Sequence, residues 1–295
     1  MVPLLGGAWQ EVRTLVIGQA GVKHNHRGER ITYTHSLSYF SRLMDAQTFQ
    51  RAALAETERR GLYRAGQAAI VGDGAEWVQG FADYHRPDAV RILDFPHGGE
   101  RFTTIQDKCA QAGIELGERW AEEQRQQLQE QGGTVVLATL QALQEQHPQA
   151  DLDEPLAYLA KREAMMRYPQ FQADGWPIGS GMVESANKLV VEARLKGAGM
   201  HCHPDNVNPM LALRNVVCNK EWETSWPALA QRLRRRQRPV APLPAEVFPP
   251  PAPHRVLAFY REQQRLERER QAASPPALPA KPKQRWKPAP EHPWR

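Results

Sequence analysis

AAIVGDGAEWVQGFADYHRPDAVRILDFPH, residues 68–97, places two short apolar runs on either side of one helix-length segment. The runs 68–71 (AAIV) and 89–93 (AVRIL) have the composition of strands covered on both faces. Residues 76–84 between them read as a helix stopped by Pro87. A strand, a helix and a second strand in this order predict a parallel pair with a crossover. Asp73 and Asp94 follow the two runs. The carboxyl ends of parallel strands are where α/β folds place functional groups. Gly72 and Gly74 let backbone and ligand approach closely. Asp73 also has a structural reading, as the N-cap of the next helix with Glu76 completing a capping box. Asp94 and His97 are spaced to bond each other or to close a strand-end turn.

Upstream, residues 2–5 and 11–19 read as a hairpin over Gly6-Gly7, and 29–36 (ERITYTHS) as a third strand. Asp45 opens a helical stretch to residue 60. The resulting order is mixed α/β. Downstream, strand signals stop: 120–131, 135–146 and 155–167 are helical in pattern, with Gly132-Gly133 as a break. Then GSGMVESANK (179–188) introduces a helix over 182–196. Ser180 stands at its N-cap, Glu184 lies in its first turns, and Lys188, Val191 and Leu195 follow on Glu184's face. Later helices are expected at 208–217 and 226–236. From Pro239 on lie 14 of the 24 prolines, which excludes a regular core there, so the tail is expected to be mostly disordered, with one helix at 256–271.

The net charge of +5 is a weak pointer to nucleic acid, and its distribution is a better one. Arg232, Arg234, Arg235, Arg236 and Arg238 fall within seven residues, which suits a phosphate backbone or a solvated helix end. Three separated cysteines fit neither a disulfide framework nor a zinc ribbon. In His201-Cys202-His203, adjacent residues cannot easily all face one ion. The N-terminus carries no signal-peptide pattern, and no apolar run is of membrane-spanning length.

The runs YFSRLMDAQTF (39–49), 71–97, YPQFQADGWPIGSGMVESANKLVVEARLKGAGM (168–200) and VNPMLALRNVVCN (207–219) resemble the DDE transposases of bacterial insertion sequences, specifically the ISKra-type group related to Mutator-like transposases. The resemblance implies an α/β, ribonuclease H-like mixed sheet with an all-helical insertion. Residues 1–98 would form the first part of the core and 99–170 the insertion. Residues 171–238 would complete the core, and 239–295 would be the Pro-rich tail. It implies two Mg²⁺ ions held by Asp, Asp and Glu, with Asp73 as the second Asp and Glu184 as the Glu, both catalytic and metal-binding. Asp94 and His97 match a DxxH element that organises the site. Lys188, Arg194 and Lys196 would hold DNA phosphates, and Trp120, otherwise a core residue, would stack on an unpaired base. The chemistry would be two-metal strand cleavage, then attack of the freed 3′-hydroxyl on target DNA.

The pattern departs from the family in two places. The family's first Asp lies in a Val-Asp-Gly-type run just before the residues matching Met1-Val2-Pro3, and no other Asp lies on that strand. An N-terminally truncated chain, catalytically impaired with weak or absent strand cleavage, is therefore expected. The alternative is a catalytically dead remnant that binds DNA or the full-length enzyme. After Met200, where the family has an aromatic, this chain has His201-Cys202-His203. The expected partners are transposon-end and target DNA and further copies of the chain, as a homodimer or higher oligomer. No membrane and no small-molecule substrate is expected. The expected location is the bacterial cytoplasm, at the nucleoid.

Overall fold

Val2–Pro3 (β1) and Trp9–Gln10 (β2) form a short antiparallel ladder closed over Gly6 and Gly7, both at positive φ. The computed structural model describes residues 1–28, 30–236 and 253–273. The ladder replaces the expected pairing of 2–5 with 11–19. Leu4 instead bridges to Cys202, and the long strand Arg13–His24 (β3) pairs with Arg30–Arg42 (β4). The Asn25–Gly28 turn decides this, with Gly28 at φ +77°. It closes a ladder of many more cross-strand pairs than the two that β1 and β2 make.

The outer edge of β4 is closed by side chains. Asn208 bonds both the amide and the carbonyl of Leu43, and Asn219 does the same at Tyr39. Asn215, between them, reaches Ser41. These asparagines lie on one face of a helix described below and satisfy the strand edge as a neighbouring strand would.

Asp45 caps Ala46–Ala52 (α1) by accepting the Thr48 amide at 2.9 Å. The helix expected to run on to residue 60 is interrupted at Ala53 and resumes as Leu54–Arg59 (α2). Next come Ala69–Gly72 (β5), Glu76–His85 (α3) and Val90–Leu93 (β6). β5 and β6 are parallel, as the opening stretch implies. The N-cap position of α3 is Ala75, not Asp73, and carries no side-chain cap, so the capping box does not form. Asp73 Oδ1 accepts the Ala75 amide instead.

The segment after β6 is helical, as the absence of strand signals there predicts: Phe95–Gln111 (α4), Trp120–Gln131 (α5), Gly133–Gln146 (α6), Asp153–Ala160 (α7) and Tyr168–Ala173 (α8). These helices and β6 share the main core, built on Ile92, Leu93, Phe102, Ile105, Leu128, Leu140 and Tyr168. Gly181–Ala186 (α9) continues through a π-helical segment, Asn187–Glu192, into Ala193–Leu195 (α10). The wide π turn rotates the residues beyond it away from the face of Glu184. Val191 and Leu195 are buried while Glu184 and Lys188 are exposed, so the expected shared face is not formed. Pro204–Cys218 (α11) is the asparagine-bearing helix, and Trp222–Arg236 (α12) comes after it. Pro253–Ala273 (α13) contains the helix expected at 256–271. The expectation of disorder falls mainly on 237–252 and 274–295, outside the described residues.

The architecture is mixed α/β. The expected single mixed sheet is not formed among the described residues. Their strands make three separate two-stranded sheets, β1–β2, β3–β4 and β5–β6, because nothing pairs with the free edges of β3 and β5. No helix among the described residues is long and apolar enough to cross a membrane.

Candidate functional site

The site is assembled where β5 and β6 end. Asp94 closes β6 and is buried, at 1% exposure. Its Oδ2 accepts His97 Nδ1 at 2.6 Å, and its Oδ1 accepts the Ser180 amide at 2.5 Å. Beside it, the Phe95 amide donates to Ile178 O at 2.9 Å. One carboxylate thus ties the strand end to the loop from which the Glu184 helix departs. Burial opposes a charge on His97. The Asp94 hydrogen bond and the fields of Asp94, Glu100 and Asp73 outweigh it and raise the imidazole above its ordinary value.

The Asp73 loop is gripped by side chains at and just beyond α7. Tyr158 donates to Asp73 O at 2.8 Å, and Arg162 donates to Gly74 O through Nε at 3.1 Å and Nη2 at 2.8 Å. Lys161 pairs with Glu76, which holds the Glu76 carboxyl below its usual range. The arginine occupies the space that a Cβ on Gly74 would take, and Gly74 sits at φ +77°. None of these three contacts was legible from residues 153–162, because they span about 85 positions of chain.

Asp73, His97 and Glu184 line one cleft of about 1110 Å³, together with Thr14–Ala20 and Ala68–Gly72. Both carboxylate residues are exposed. Among the described residues no group of three His, Cys, Asp or Glu side chains is arranged to hold a metal ion. Asp73 and Glu184 thus bring two carboxylates, oxygen donors of the hard type that Mg²⁺ prefers, to one cleft.

The other expected residues lie apart from this pair. Lys188, Arg194 and Lys196 are exposed along the same helical stretch, and Lys196 pairs with Glu192 at 3.2 Å. Trp120 is half-buried at the start of α5 and packs against the main core, which accounts for it structurally. His203 caps α11, and Cys202 belongs to the β1 contact, so the His-Cys-His run serves local structure. Trp222 and Trp226 stack at 5.0 Å on α12, the helix that carries Arg232 and Arg234. Comparison with known proteins finds no family model, no curated protein and no solved structure that matches this chain.

Proposed function

We propose that this chain is a nuclease-type DNA transposase core of the ribonuclease H-like class. The observation that carries the reading is that Asp73 and Glu184, more than a hundred residues apart, line one cleft beside the Asp94–His97 pair. In it, Asp73 and Glu184 hold Mg²⁺ by their carboxylates, and Asp94 and His97 position the strand end and the Glu184 helix. Lys188, Arg194 and Lys196 bind the phosphate backbone. When bound, Mg²⁺ supplies Lewis-acid stabilisation of charge at a phosphodiester.

The test is Mn²⁺ binding measured by electron paramagnetic resonance, together with nicking of duplex DNA. Bound Mn²⁺ is expected in the native chain and is expected to be lost in Asp73→Asn and in Glu184→Gln. Mn²⁺ binding that neither substitution changes would overturn the reading. Nicking of duplex DNA that depends on Mn²⁺ and is lost in both substitutions is the outcome expected of a two-metal core.

A further inference from the structure

The segment RRGLYRA, residues 59–65, joins the end of α2 to the approach of β5 and brings arginines to the cleft of Asp73 and Glu184. Arg59, Arg60 and Arg64 all line it. Their charges are not equally available. Arg59 is neutralised by Glu56 and Glu221. Arg60 bonds Ser36 O and keeps a buried Nε without an acceptor. Arg64 stands over the ring of Tyr260, its guanidinium carbon 5.2 Å from the centroid. Among the described residues neither Arg60 nor Arg64 is paired with a carboxylate.

The segment is held rigidly. Gly61, at φ +70°, turns the chain out of α2. Tyr63 is buried and donates to His85 Nδ1 at 2.7 Å. Arg86, at 1% exposure, donates to Leu62 O at 2.5 Å and to Ala65 O at 3.0 Å, while Asp88 holds its Nε at 2.9 Å. With Tyr63 directed inward and both flanking carbonyls fixed, Arg64 is left facing out.

The tail helix α13 completes the arrangement. Leu257, Tyr260, Arg261 and Gln264 recur at three- and four-residue spacing and form one face. Leu257 is buried, and Tyr260 donates to Glu58 Oε1 at 2.6 Å. Arg261 pairs with Asp88, the carboxylate that also holds Arg86, and Gln264 donates to Arg64 O. Away from this face, Arg265 pairs with Glu262 and Glu269, all three exposed. α13 therefore grips the arginine segment twice and puts an aromatic face under Arg64. Stacking occupies the face of a guanidinium and leaves the N–H groups at its edge free, the geometry that phosphate recognition uses.

β5 sets the distance from these arginines to the acids. Ala68 and Ala69 line the cleft at its start and Asp73 follows its last residue. The four residues of β5 rise roughly 13 Å. A DNA strand carries one phosphate per ~3.4 Å of helix axis. A strand lying along β5 thus has about four phosphates over that length. We propose that Arg60 and Arg64 hold the backbone of a DNA strand that lies along β5 toward Asp73 and Glu184, with Tyr260 of α13 as the residue that positions Arg64. The inference takes from the reading above only that the ligand is DNA. Residues 253–273 lie outside the stretches that carry the resemblance.

The experiment is fluorescence anisotropy of a labelled mixed-sequence DNA duplex with the full chain across a salt series. Arg64→Ala is expected to weaken binding at low salt by about tenfold. Its slope of log affinity against log salt should be shallower by about 0.9, and that of the Arg60→Ala/Arg64→Ala pair by roughly 2. Tyr260→Leu is expected to resemble Arg64→Ala and to add little to it in the double variant. Tyr260→Phe and Tyr260→Trp keep the ring face and should keep the native slope. They test the positioning role even where Tyr260→Leu fails to fold. A native slope in Arg64→Ala sinks the inference. A folded Tyr260→Phe that loses as much as Arg64→Ala removes Tyr260 from it. Mn²⁺ binding separates this from the metal reading, since the arginine and tyrosine variants are expected to retain it. Arginine-dependent DNA binding alongside Mn²⁺ binding indifferent to Asp73 and Glu184 would sink the metal reading and support this one.

Discussion

Asp94 accepts the backbone amide of Ser180 at 2.5 Å, so the end of β6 and the start of the Glu184 helix are held by one buried carboxylate. The same carboxylate takes His97 Nδ1 at 2.6 Å, and a break at Asp94 therefore reaches both elements.

Removing that carboxylate leaves the Ser180 amide without its acceptor in a buried setting. Charge-assisted bonds of this kind are worth about 1.5–3 kcal/mol each. Asp94→Ala is expected to cost about 3 kcal/mol or more, and Asp94→Asn less, because the amide keeps one acceptor. Urea midpoints measure the loss. Exchange of the Ser180 amide shows whether it is local, and an unchanged Ser180 amide in Asp94→Ala would refute the tie.

Gly74 stands at φ +77° with the Arg162 side chain where a Cβ would be. The left-handed backbone alone costs a non-glycine residue about 1–2 kcal/mol. Gly74→Ala is expected to lose that amount plus the displaced Arg162 contacts, about 3 kcal/mol in all. In an Arg162→Ala background only the backbone cost of about 1–2 kcal/mol should remain. A double-mutant cycle on thermal unfolding checks this, and additive losses would show that the arginine does not grip the loop.

His85 is fully buried, donating from Nε2 to Gln50 O at 2.8 Å and accepting Tyr63 Oη at Nδ1 at 2.7 Å. This network needs the neutral ring. Burial drives its pKa down to about 4, against a smaller opposing pull from the Gln50 carbonyl. The unfolded ring titrates near ~6.5, so between these values the unfolded chain binds the extra proton. Stability from this site is complete above about 6.5 and falls as pH drops toward about 4, by about 3 kcal/mol in total. Melting curves from pH 7 to pH 4.5 should show the slope, and His85→Gln should flatten it. An unchanged slope in that variant would assign the acid sensitivity elsewhere.

Lys188, Arg194 and Lys196 are exposed on one helical stretch leading from the cleft. If they lie on phosphates, each contact removed lowers the slope of log affinity against log salt by about 0.9. The triple alanine variant should bind duplex DNA more weakly at low salt, with a slope shallower by roughly 2–3. Fluorescence anisotropy across a salt series measures it. Weaker binding with an unaltered slope would place these cations away from the backbone.

Local pattern alone carried the β5–α3–β6 unit, the Asp45 cap and the helices at 120–131 and 135–146, because each depends on residues a few positions apart. The apolar runs at 69–72 and 90–93 pair in parallel as their spacing requires. Where two local rules competed, tertiary contacts chose between them. Asp73 and Glu76 had the spacing of a capping box, yet Glu76 is drawn to Lys161 and Asp73 bonds Ala75 instead. Likewise, 13–24 had two neighbours to choose from, and the longer ladder with 30–42 prevailed.

Composition and periodicity determined on their own the β5–α3–β6 order, the helices near 120–131 and 135–146, the acids at the two strand ends and the proline-rich stretches, since these depend on neighbours in the chain. Only the folded structure decided that Asp94 binds Ser180, that Arg162 fills the space beside Gly74, that asparagines of α11 close the edge of β4 and that the opposite edge of β3 stays open. Those outcomes depend on which backbone donors and acceptors are satisfied by groups tens of residues to well over a hundred residues away, and a linear pattern contains no distances.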